Sequence, residues 1–238
     1  MEWRIHHKAK TGSTNIDARN GSPGDVFTAD FQTAGRGRLD HKWLSPPGVN
    51  LAMSVVLPVA GLAPEHVATL PLVAGLATVR AVSRLAPGVA PRLKWPNDVL
   101  LDGRKVCGIL CERDGDCVIA GIGVNVKHQE FPPELADRAA SLCDAAGFCG
   151  GIEEVRDEVL DEIGKLFGVW KTDGFAALWP EVARFDFLKG RMVSVLQTDA
   201  DETPVSGVCG GIRRDGSLDV SGIAIYAGEA HVLKSAIT

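Results

Sequence analysis

Residues 99–126 have the sequence VLLDGRKVCGILCERDGDCVIAGIGVNV. Apolar residues alternate with polar residues or glycine in three successive runs, Val99–Leu101, Lys105–Glu112 and Cys117–Val126. Two Asp-Gly pairs, Asp102-Gly103 and Asp114-Gly115, separate these runs at points where a tight hairpin needs residues that tolerate positive φ. The stretch therefore predicts an antiparallel meander of three strands.

Further strands and two long helices are predicted around this meander. Period-two runs at Asp25–Phe31, Asn50–Leu57 and Arg92–Lys94 indicate three more strands. An apolar stripe indicates a helix from Pro64 to Leu85, in which Pro71 should either kink the helix or begin its main part.

The second helix is predicted from Ile152 to Trp170, where apolar residues recur at helical spacing. Acidic residues fill the positions between them, which favours a solvated helix face over a binding site. These acids are Glu153, Glu154, Asp157, Glu158, Asp161 and Glu162.

After Phe187 the pattern changes to short strands without helical periodicity. We predict five strands there, with a hairpin at Asp215-Gly216: Met192–Gln197, Val205–Ile212, Ser217–Val220, Ile223–Tyr226 and His231–Leu233. The predicted class is α+β: a mixed, largely antiparallel sheet with packed helices in residues 1–186, followed by a small β-barrel in residues 187–238. A chain of 238 residues is long enough for one large domain and a small one.

The charge balance and the amino-terminal sequence exclude several classes of protein. Lys and Arg number 25 against 30 Asp and Glu, a net charge of −5, so no overall positive field would attract nucleic acid or acidic lipid. The first residues, MEWRIHHK, lack the apolar segment of a signal peptide, and the later apolar runs are interrupted by Gly, Pro or polar residues. We therefore expect a cytoplasmic protein without a nucleic-acid or membrane partner.

Cysteine and histidine spacing predicts neither disulfides nor a metal site. The six cysteines are sparse for this length, and several lie in apolar strand patterns, so we expect reduced thiols in the core. No CxxC pair occurs, and the six histidines show no zinc-ligand spacing. The cysteines are Cys107, Cys111, Cys117, Cys143, Cys149 and Cys209.

A glycine-arginine loop is the first candidate for chemistry. The segment QTAGRGR, residues 32–38, follows a predicted strand and places two guanidinium groups between glycines that allow close approach of a ligand. Arginine presents a planar fork of donors that matches phosphate oxygens, and glycine amides can form an anion-binding concavity. Taken alone, the same segment could be a basic surface turn.

Two further segments favour a ligand site. In KWPND, residues 94–98, a lysine at a strand end offers a point charge to a phosphoryl or carboxylate oxygen, although it could also be a solvated hairpin residue. In GIGVN, residues 121–125, two glycines leave room beside an apolar strand, for a ligand or for a neighbouring element. No Walker loop, GxGxxG turn or GxSxG motif occurs, so ATP would not be held in the usual way.

Six segments, taken in order, resemble those of biotin protein ligases. They are TGSTN at 11–15, QTAGRGR at 32–38 with Trp43, Asn50-Leu51, KWPND at 94–98, GILCE at 108–112 and GIGVN at 121–125. The likeness continues through Phe131–Leu135 and Trp179 to Ala227–Glu229. It implies a catalytic domain of the biotin/lipoyl ligase and class II synthetase type, followed by an SH3-like barrel.

The activity that the resemblance implies is ATP-dependent ligation. Such an enzyme forms biotinyl-5′-AMP and transfers biotin to one lysine of a biotin carboxyl carrier protein, as part of acetyl-CoA carboxylase or a related carboxylase. Biotin, ATP and Mg²⁺ are the ligands implied. Homodimer formation through an exposed sheet edge stays open.

The resemblance also implies a set of biotin-binding residues. The ureido head of biotin would be hydrogen-bonded by Ser13, Thr14, Asn15 and Gln32, and its bicyclic ring would be lined by Gly108, Ile109 and Leu110. Gly35, Arg36, Gly37 and Arg38 would lie on a loop that folds over the ligand, with both arginines facing the carboxylate and then the adenylate phosphate. Trp43 would help to cover the adenylate.

On the same resemblance, Lys94, Arg36 and Arg38 would be the catalytic residues. Attack of the biotin carboxylate on the α-phosphate builds negative charge that Lys94 would neutralise. Asn97 and Asn125 would belong to the ligand-binding set, with Asn125 beside the nucleotide.

This chain departs from the family pattern in the residues that follow the glycine-arginine loop. Relatives often continue with Arg-Gly-Arg-Lys-Trp, whereas this chain has LDHKW at 39–43, with Asp40 in place of a glycine. No helix-turn-helix segment precedes Trp3, so we do not expect a repressor function. Two alternatives remain: a lipoate or octanoate ligase, although those usually carry an RRxxGGG-type loop, and a biotin-binding pseudoenzyme without turnover.

Overall fold

The computed structural model describes residues 1–39, 41–197 and 203–233, so Asp40 lies outside the described residues. The larger part contains seven strands: β1 (Arg4–Thr11), β2 (Asp25–Gln32), β3 (Asn50–Pro58), β4 (Arg92–Lys94), β5 (Asp98–Leu101), β6 (Arg104–Asp114) and β7 (Cys117–Asn125). Its helices are α1 (Thr14–Ala18), α2 (Pro64–Val67), α3 (Leu70–Leu85), α4 (Leu142–Ala146), α5 (Ile152–Asp173) and α6 (Phe175–Phe185). Five more strands follow: β8 (Met192–Gln197), β9 (Val205–Ile212), β10 (Leu218–Val220), β11 (Ile223–Ile225) and β12 (Gly228–Val232).

The large sheet has the strand order β1-β2-β3-β7-β6-β5-β4. Among the described strands of this sheet, β1 and β2 pair in parallel and the other neighbouring strands pair antiparallel. The predicted meander is confirmed as β5, β6 and β7, and both of its turns have two residues. Asp102 and Gly103 have φ values of 49° and 76°, and Gly115 has 57°, which are the conformations that these Asp-Gly pairs permit.

The two faces of the large sheet have different roles. On β3, Leu51, Met53 and Val55 point into the main core with α3 and α5, whereas Val56 packs against Ala18 of α1 on the opposite face. Because successive side chains on a strand point to opposite faces, Ser54 lies on the α1 face as well. This face carries the candidate site.

The predicted helix from Pro64 to Leu85 is two helices, α2 and α3. Pro71 lies in the first turn of α3, where its missing N–H is not needed, so it begins the main part of the helix. By length and composition the stretch Pro64–Leu85 could cross a membrane, and 67% of its most apolar window is buried inside the protein.

The acidic face predicted for α5 is wrong at one position, Glu162. Its side chain is fully buried and pairs with Arg80, Arg84 and Lys165. Burial alone would raise the pKa of Glu162, but hydrogen bonds from Lys165 and Arg80 lower it. Position 162 falls within the apolar stripe that includes Val159, Ile163 and Leu166, so helical spacing turns it toward the core.

The carboxyl-terminal strands form one sheet in the order β11-β10-β9-β8-β12. The α+β class is confirmed, with a second, antiparallel sheet where a small β-barrel was predicted, and among the described residues no pair joins β11 to β12 to close that sheet. The last strand also begins earlier than predicted, at Gly228 instead of His231. The Trp95 indole donates to the Gly216 carbonyl at 3.1 Å, and the Trp179 indole donates to the Ile212 carbonyl at 2.7 Å. These bonds attach the small sheet to the larger part.

All six cysteines are free thiols, as predicted. Cys107 and Cys209 are buried, and burial raises the pKa of Cys107 to about 12. Cys149 is exposed, so the prediction that the thiols lie in the core is wrong for it. It lies in the short segment between α4 and α5, which contributes little to the core.

Candidate functional site

A cleft lies on the α1 face of the large sheet, with about 910 Å³ of empty space including its open mouth. Its floor is formed by β6 and β7, and one end is α1. The glycine-arginine loop and the KWPND turn form its sides, and Glu229 and Ala230 of β12 complete the wall. Residues from both sheets therefore meet at this cleft.

A chain of hydrogen bonds orders the polar end of the cleft at α1. Gln32 Oε1 accepts from the backbone N–H of Thr14 at 2.9 Å. The fully buried hydroxyl of Ser54 lies 2.7 Å from Thr14 Oγ1 and 2.6 Å from Asn15 Oδ1. Asn15 Nδ2 in turn donates to Glu112 Oε2 at 2.7 Å. Fixed in this way, these side chains present a preorganised set of donors and acceptors to a small polar head group.

Three glycines on β6 and β7 make the floor of the cleft. A Cβ on Gly121 would collide with the amide of Asn15, and one on Gly123 would collide with the indole of Trp43. A Cβ on Gly108 would lie 3.0 Å from the Trp43 ring. Glycine is therefore required where Asn15 and Trp43 lie flat on the sheet. The indole N–H of Trp43 is buried without a hydrogen-bond partner among the described residues.

The glycine-arginine loop is held at two points. Arg36 donates to Glu112 Oε1 at 3.0 Å, and Arg38 donates to the backbone carbonyl of Gly228 at 3.1 Å. Within the loop, Trp43 N donates to Gly35 O at 3.0 Å. Burial lowers the pKa of the Arg38 guanidinium, although Asp98 and Glu229 oppose that shift. The loop thus lies over the cleft between α1 and the small sheet.

Cationic side chains converge at the other end of the cleft. Lys94 and Lys105 both line it, and Lys105 Nζ lies 2.6 Å from Asp98 Oδ1 and above the Trp43 ring. Burial lowers the pKa of Lys94, and the neighbouring carboxylates of Asp98 and Glu229 act in the opposite direction. Together with Arg38, these lysines can bind and neutralise an anionic group.

Most of the residues predicted from sequence line this one cleft. They are Ser13, Thr14, Asn15, Gln32, Arg36, Gly37, Arg38, Trp43, Lys94, Asn97, Gly108, Ile109 and Leu110. Two predicted residues do not line it. Gly35 is buried at the base of the loop, and Asn125 is 4% exposed and donates to the Ala140 carbonyl at 3.1 Å. A nucleotide contact for Asn125 therefore stays a prediction.

The sequence analysis assigned no role to several polar residues at the site: Ser54 and Lys105, and also Asp98, Glu112 and Glu229, which lie within the quoted segments. Ser54 carried a signal, because it is a lone hydroxyl in an apolar strand and shares the sheet face of Asn50 and Ala52. Lys105 and Glu112 belong to the predicted strand that contains Gly108. Lys105 lies three residues before Gly108 and Glu112 four residues after it, and this spacing gave no reason to select them. Glu229 is brought in only by tertiary structure.

Comparison with known proteins identifies the family. Residues 6–127 match the model of the biotin/lipoate A/B protein ligase family. The chain is 37% identical over 177 residues to the bifunctional ligase/repressor BirA of Bacillus subtilis, a match that covers 70% of this chain and 54% of that protein. It is 38% identical over 185 residues to the biotin–(acetyl-CoA-carboxylase) ligase of Paracoccus denitrificans, covering 71% and 75%.

Solved structures agree with the sequence matches. The biotin protein ligase from Aquifex aeolicus in complex with biotin and ATP superposes with a TM-score of 0.85 at 31% identity, over 97% of this chain and 99% of that one. The chain spans about half the length of the first curated relatives that it matches. On the sequence and structural matches together, this chain belongs to the biotin/lipoate A/B protein ligase family.

Proposed function

We propose that this protein is a biotin protein ligase that makes biotinyl-5′-AMP from biotin and ATP and then biotinylates a carrier lysine. One observation carries the proposal: a single cleft joins a hydrogen-bonded polar end at Thr14, Asn15 and Gln32 to a cationic end at Lys94, Lys105 and Arg38. Biotin has the matching form, with a polar ureido head at one end and a carboxylate at the other. The solved relative that binds biotin and ATP supports this assignment.

In the first step a biotin carboxylate oxygen attacks the α-phosphorus of ATP, and the bond to the β-phosphate oxygen breaks with release of pyrophosphate. Lys94, Lys105 and Arg38 would stabilise the negative charge that builds on the phosphorus oxygens. No proton needs to move in this step. The residues around Asn15 would hold the ring so that the carboxylate reaches the phosphorus in line.

In the second step the neutral ε-amine of an acceptor lysine attacks the anhydride carbonyl carbon. The C–O bond to AMP breaks, an amide forms, and the amine loses a proton to solvent. Trp43 and the glycine-arginine loop would keep water from the anhydride until the acceptor arrives. The solvent-facing mouth of the cleft, bordered by β12, is where the acceptor lysine would enter.

Magnesium would accompany ATP and offset its triphosphate charge. Mg²⁺ prefers oxygen ligands and retains waters, and the cleft offers the carboxylates of Asp98 and Glu229. Asp98 is already paired with Lys105, so the protein would supply few ligands and the phosphates most of them.

A separate acidic group, Glu158, Asp161 and Glu162, lies on α5 and is engaged by Arg84 and Lys165.

The acceptor that we propose is the biotin carboxyl carrier domain of acetyl-CoA carboxylase, the substrate class in the name of the Paracoccus relative. We place the reaction in the cytoplasm, where six free thiols would stay reduced. We also propose that residues 1–186 form the catalytic domain and that residues 187–238 form a smaller domain whose β12 completes the cleft.

The decisive experiment is biotin-dependent exchange of labelled pyrophosphate into ATP, with lipoate and octanoate run in parallel. We expect exchange with biotin, and transfer of biotin to a purified carrier domain. Exchange with lipoate alone would assign the protein to lipoate chemistry. Tight biotin binding without exchange would indicate a pseudoenzyme.

A further inference from the structure

Glu112 connects the polar end of the cleft to the glycine-arginine loop. It lies on β6, and its side chain is 21% exposed. One oxygen accepts from Asn15 Nδ2 at 2.7 Å, and the other accepts from Arg36 at 3.0 Å. Arg19, at the end of α1, adds a longer contact of 3.4 Å. One carboxylate therefore contacts both α1 and the glycine-arginine loop.

The contact with Asn15 fixes the orientation of that amide. Asn15 Oδ1 lies 2.6 Å from the Ser54 hydroxyl, so its Nδ2 group must face Glu112. A flipped amide would place its oxygen against the Glu112 carboxylate, where two acceptors repel each other. The Leu110 carbonyl accepts from the same Nδ2 group at 3.3 Å, so Glu112, with the shorter contact, acts together with it to fix which polar atoms Asn15 presents to a ligand.

The contact with Arg36 holds the glycine-arginine loop at the end of the cleft next to Asn15. Arg36 is 42% exposed, and Glu112 is its anionic partner among the described residues. Two residues later, Arg38 is bound to the small sheet through Gly228. The loop is thus held at two points, and Glu112 supplies the one next to Asn15. Charge-assisted hydrogen bonds of this kind are about twice as strong as neutral ones.

We propose that Glu112 is a positioning residue that couples recognition of the ligand head at Asn15 to closure of the loop through Arg36. The inference rests on the proposed function, because it assigns Glu112 a task in holding biotin and retaining the adenylate. Glu112 does not contact the reacting atoms. Its effect passes through Asn15 on one side and through Arg36 on the other.

The test compares Glu112→Gln with Asp114→Asn, a matched control that removes an exposed carboxylate from the same strand. We expect Glu112→Gln to raise the KM for biotin about tenfold and leave the KM for ATP within about twofold, because glutamine has one acceptor oxygen and turns an NH2 donor toward Asn15 or Arg36, and a hydrogen bond to a charged group has that size. Labelling of a bystander protein without a carrier fold should rise about tenfold, because a looser loop releases adenylate. The melting temperature should stay close to that of the unchanged protein.

Arg36→Gln tests the same contact from the exposed loop, where folding is not at risk. Once Arg36 is replaced, adding Glu112→Gln should change bystander labelling less than about twofold, yet still raise the KM for biotin through Asn15. Additive effects on labelling, or a Glu112→Gln variant that behaves like Asp114→Asn, would overturn the inference and leave the ligase assignment intact. Absence of biotin-dependent exchange in the unchanged protein would overturn both.

Discussion

Two lysines lie near the carboxylate of Asp98 at the cationic end of the cleft, and their environments differ. Lys105 is paired with Asp98 at 2.6 Å. Lys94 ends in a more enclosed place, where burial lowers its pKa. A desolvated cation interacts more strongly with developing charge than a solvated one does. Lys94 is therefore the residue on which adenylate formation should depend most.

Replacing Lys94 by Ala should abolish the first chemical step and spare biotin binding. We expect pyrophosphate exchange to fall at least about 100-fold, the size associated with loss of one electrostatic contact in a transition state. The dissociation constant of biotin, measured by calorimetry, should change less than about threefold, because the hydrogen bonds at Asn15 and Gln32 lie elsewhere. Lys127→Ala, at an exposed lysine, is the control. An equal loss of biotin affinity would contradict this role.

The lowered pKa of Lys94 predicts a pH dependence. Its cation should lose a proton at a lower pH than an ordinary lysine, so exchange should decline as pH rises through that lowered pKa. Asp98 and Glu229 raise the pKa, whereas Lys105 and Arg138 lower it. Asp98→Asn should therefore move the alkaline limb of the kcat profile to lower pH. A limb that stays in place, or moves upward, would show that another group titrates.

At the scale of elements, the cleft depends on missing side chains along β7. The amide of Asn15 lies directly over Gly121, where no Cβ can fit without displacing it. Gly121→Ala should therefore weaken biotin binding at least about tenfold, since the Asn15 contacts to Ser54 and Glu112 must break or shift. ATP binding should change little. Gly168→Ala, a helical glycine in open space, is the control, and calorimetry with each ligand checks the difference.

The glycine-arginine loop should lose its hold on the intermediate when its second arginine is replaced. Arg38 reaches the Gly228 carbonyl and lines the cleft, so Arg38→Gly removes both a cation and the contact with the small sheet. We expect adenylate to escape and lysines of unrelated proteins to be biotinylated, about tenfold above the unchanged enzyme. A streptavidin blot of a protein mixture measures this. Unchanged labelling of the mixture would argue against the loop as a seal.

Elements with a clear alternating or helical pattern of apolar residues could be predicted from sequence, and elements without such a pattern could not. The strands of the meander, α5 and β8 came out within a few residues because alternation and helical spacing are direct results of one-sided burial. Strand β1, with the sequence RIHHKAKT, is exposed along nearly its whole length and has no such pattern. The five residues of α1 are too few to show a period, and Pro180 obscured α6. Even so, the polar side chains of TGSTN, which includes the first two residues of α1, were selected as candidate ligand contacts.

The residues of the candidate site also divide into those that could be selected from sequence and those that could not. Residues in consecutive motifs, such as those of the glycine-arginine loop and KWPND, could be selected because their types suit phosphate and carboxylate. Glu229 belongs to a segment that shares the family likeness, but its place in the cleft could not be predicted, because it lies 135 residues after Lys94 and reaches the cleft only through packing of the two sheets. Glu112 and Ser54 act through other side chains, and sequence alone does not reveal such indirect contacts.

At the scale of the whole molecule, both sheets contribute to one core. The main hydrophobic cluster includes Leu93 and Val99 of the large sheet together with Val193, Val195 and Leu218 of the small one. Hydrogen bonds from Trp95 and Trp179 to the small sheet cross the same junction. A continuous core makes separate unfolding of the two parts unfavourable. If one part unfolded alone, the apolar surface that it covers on the other part would be exposed to water.

We therefore expect the protein to unfold in a single transition, with equal calorimetric and van't Hoff enthalpies. Trp179→Phe leaves the Ile212 carbonyl without its indole donor and should destabilise the protein by about 1–3 kcal/mol. That corresponds to a fall in Tm of about 2–12 °C, still in one peak. Tyr226→Phe is the control, because this side chain is 72% exposed and its hydroxyl bond should contribute little. Two resolved peaks in differential scanning calorimetry, or splitting induced by Trp179→Phe, would show that the small sheet folds independently of the cleft it completes.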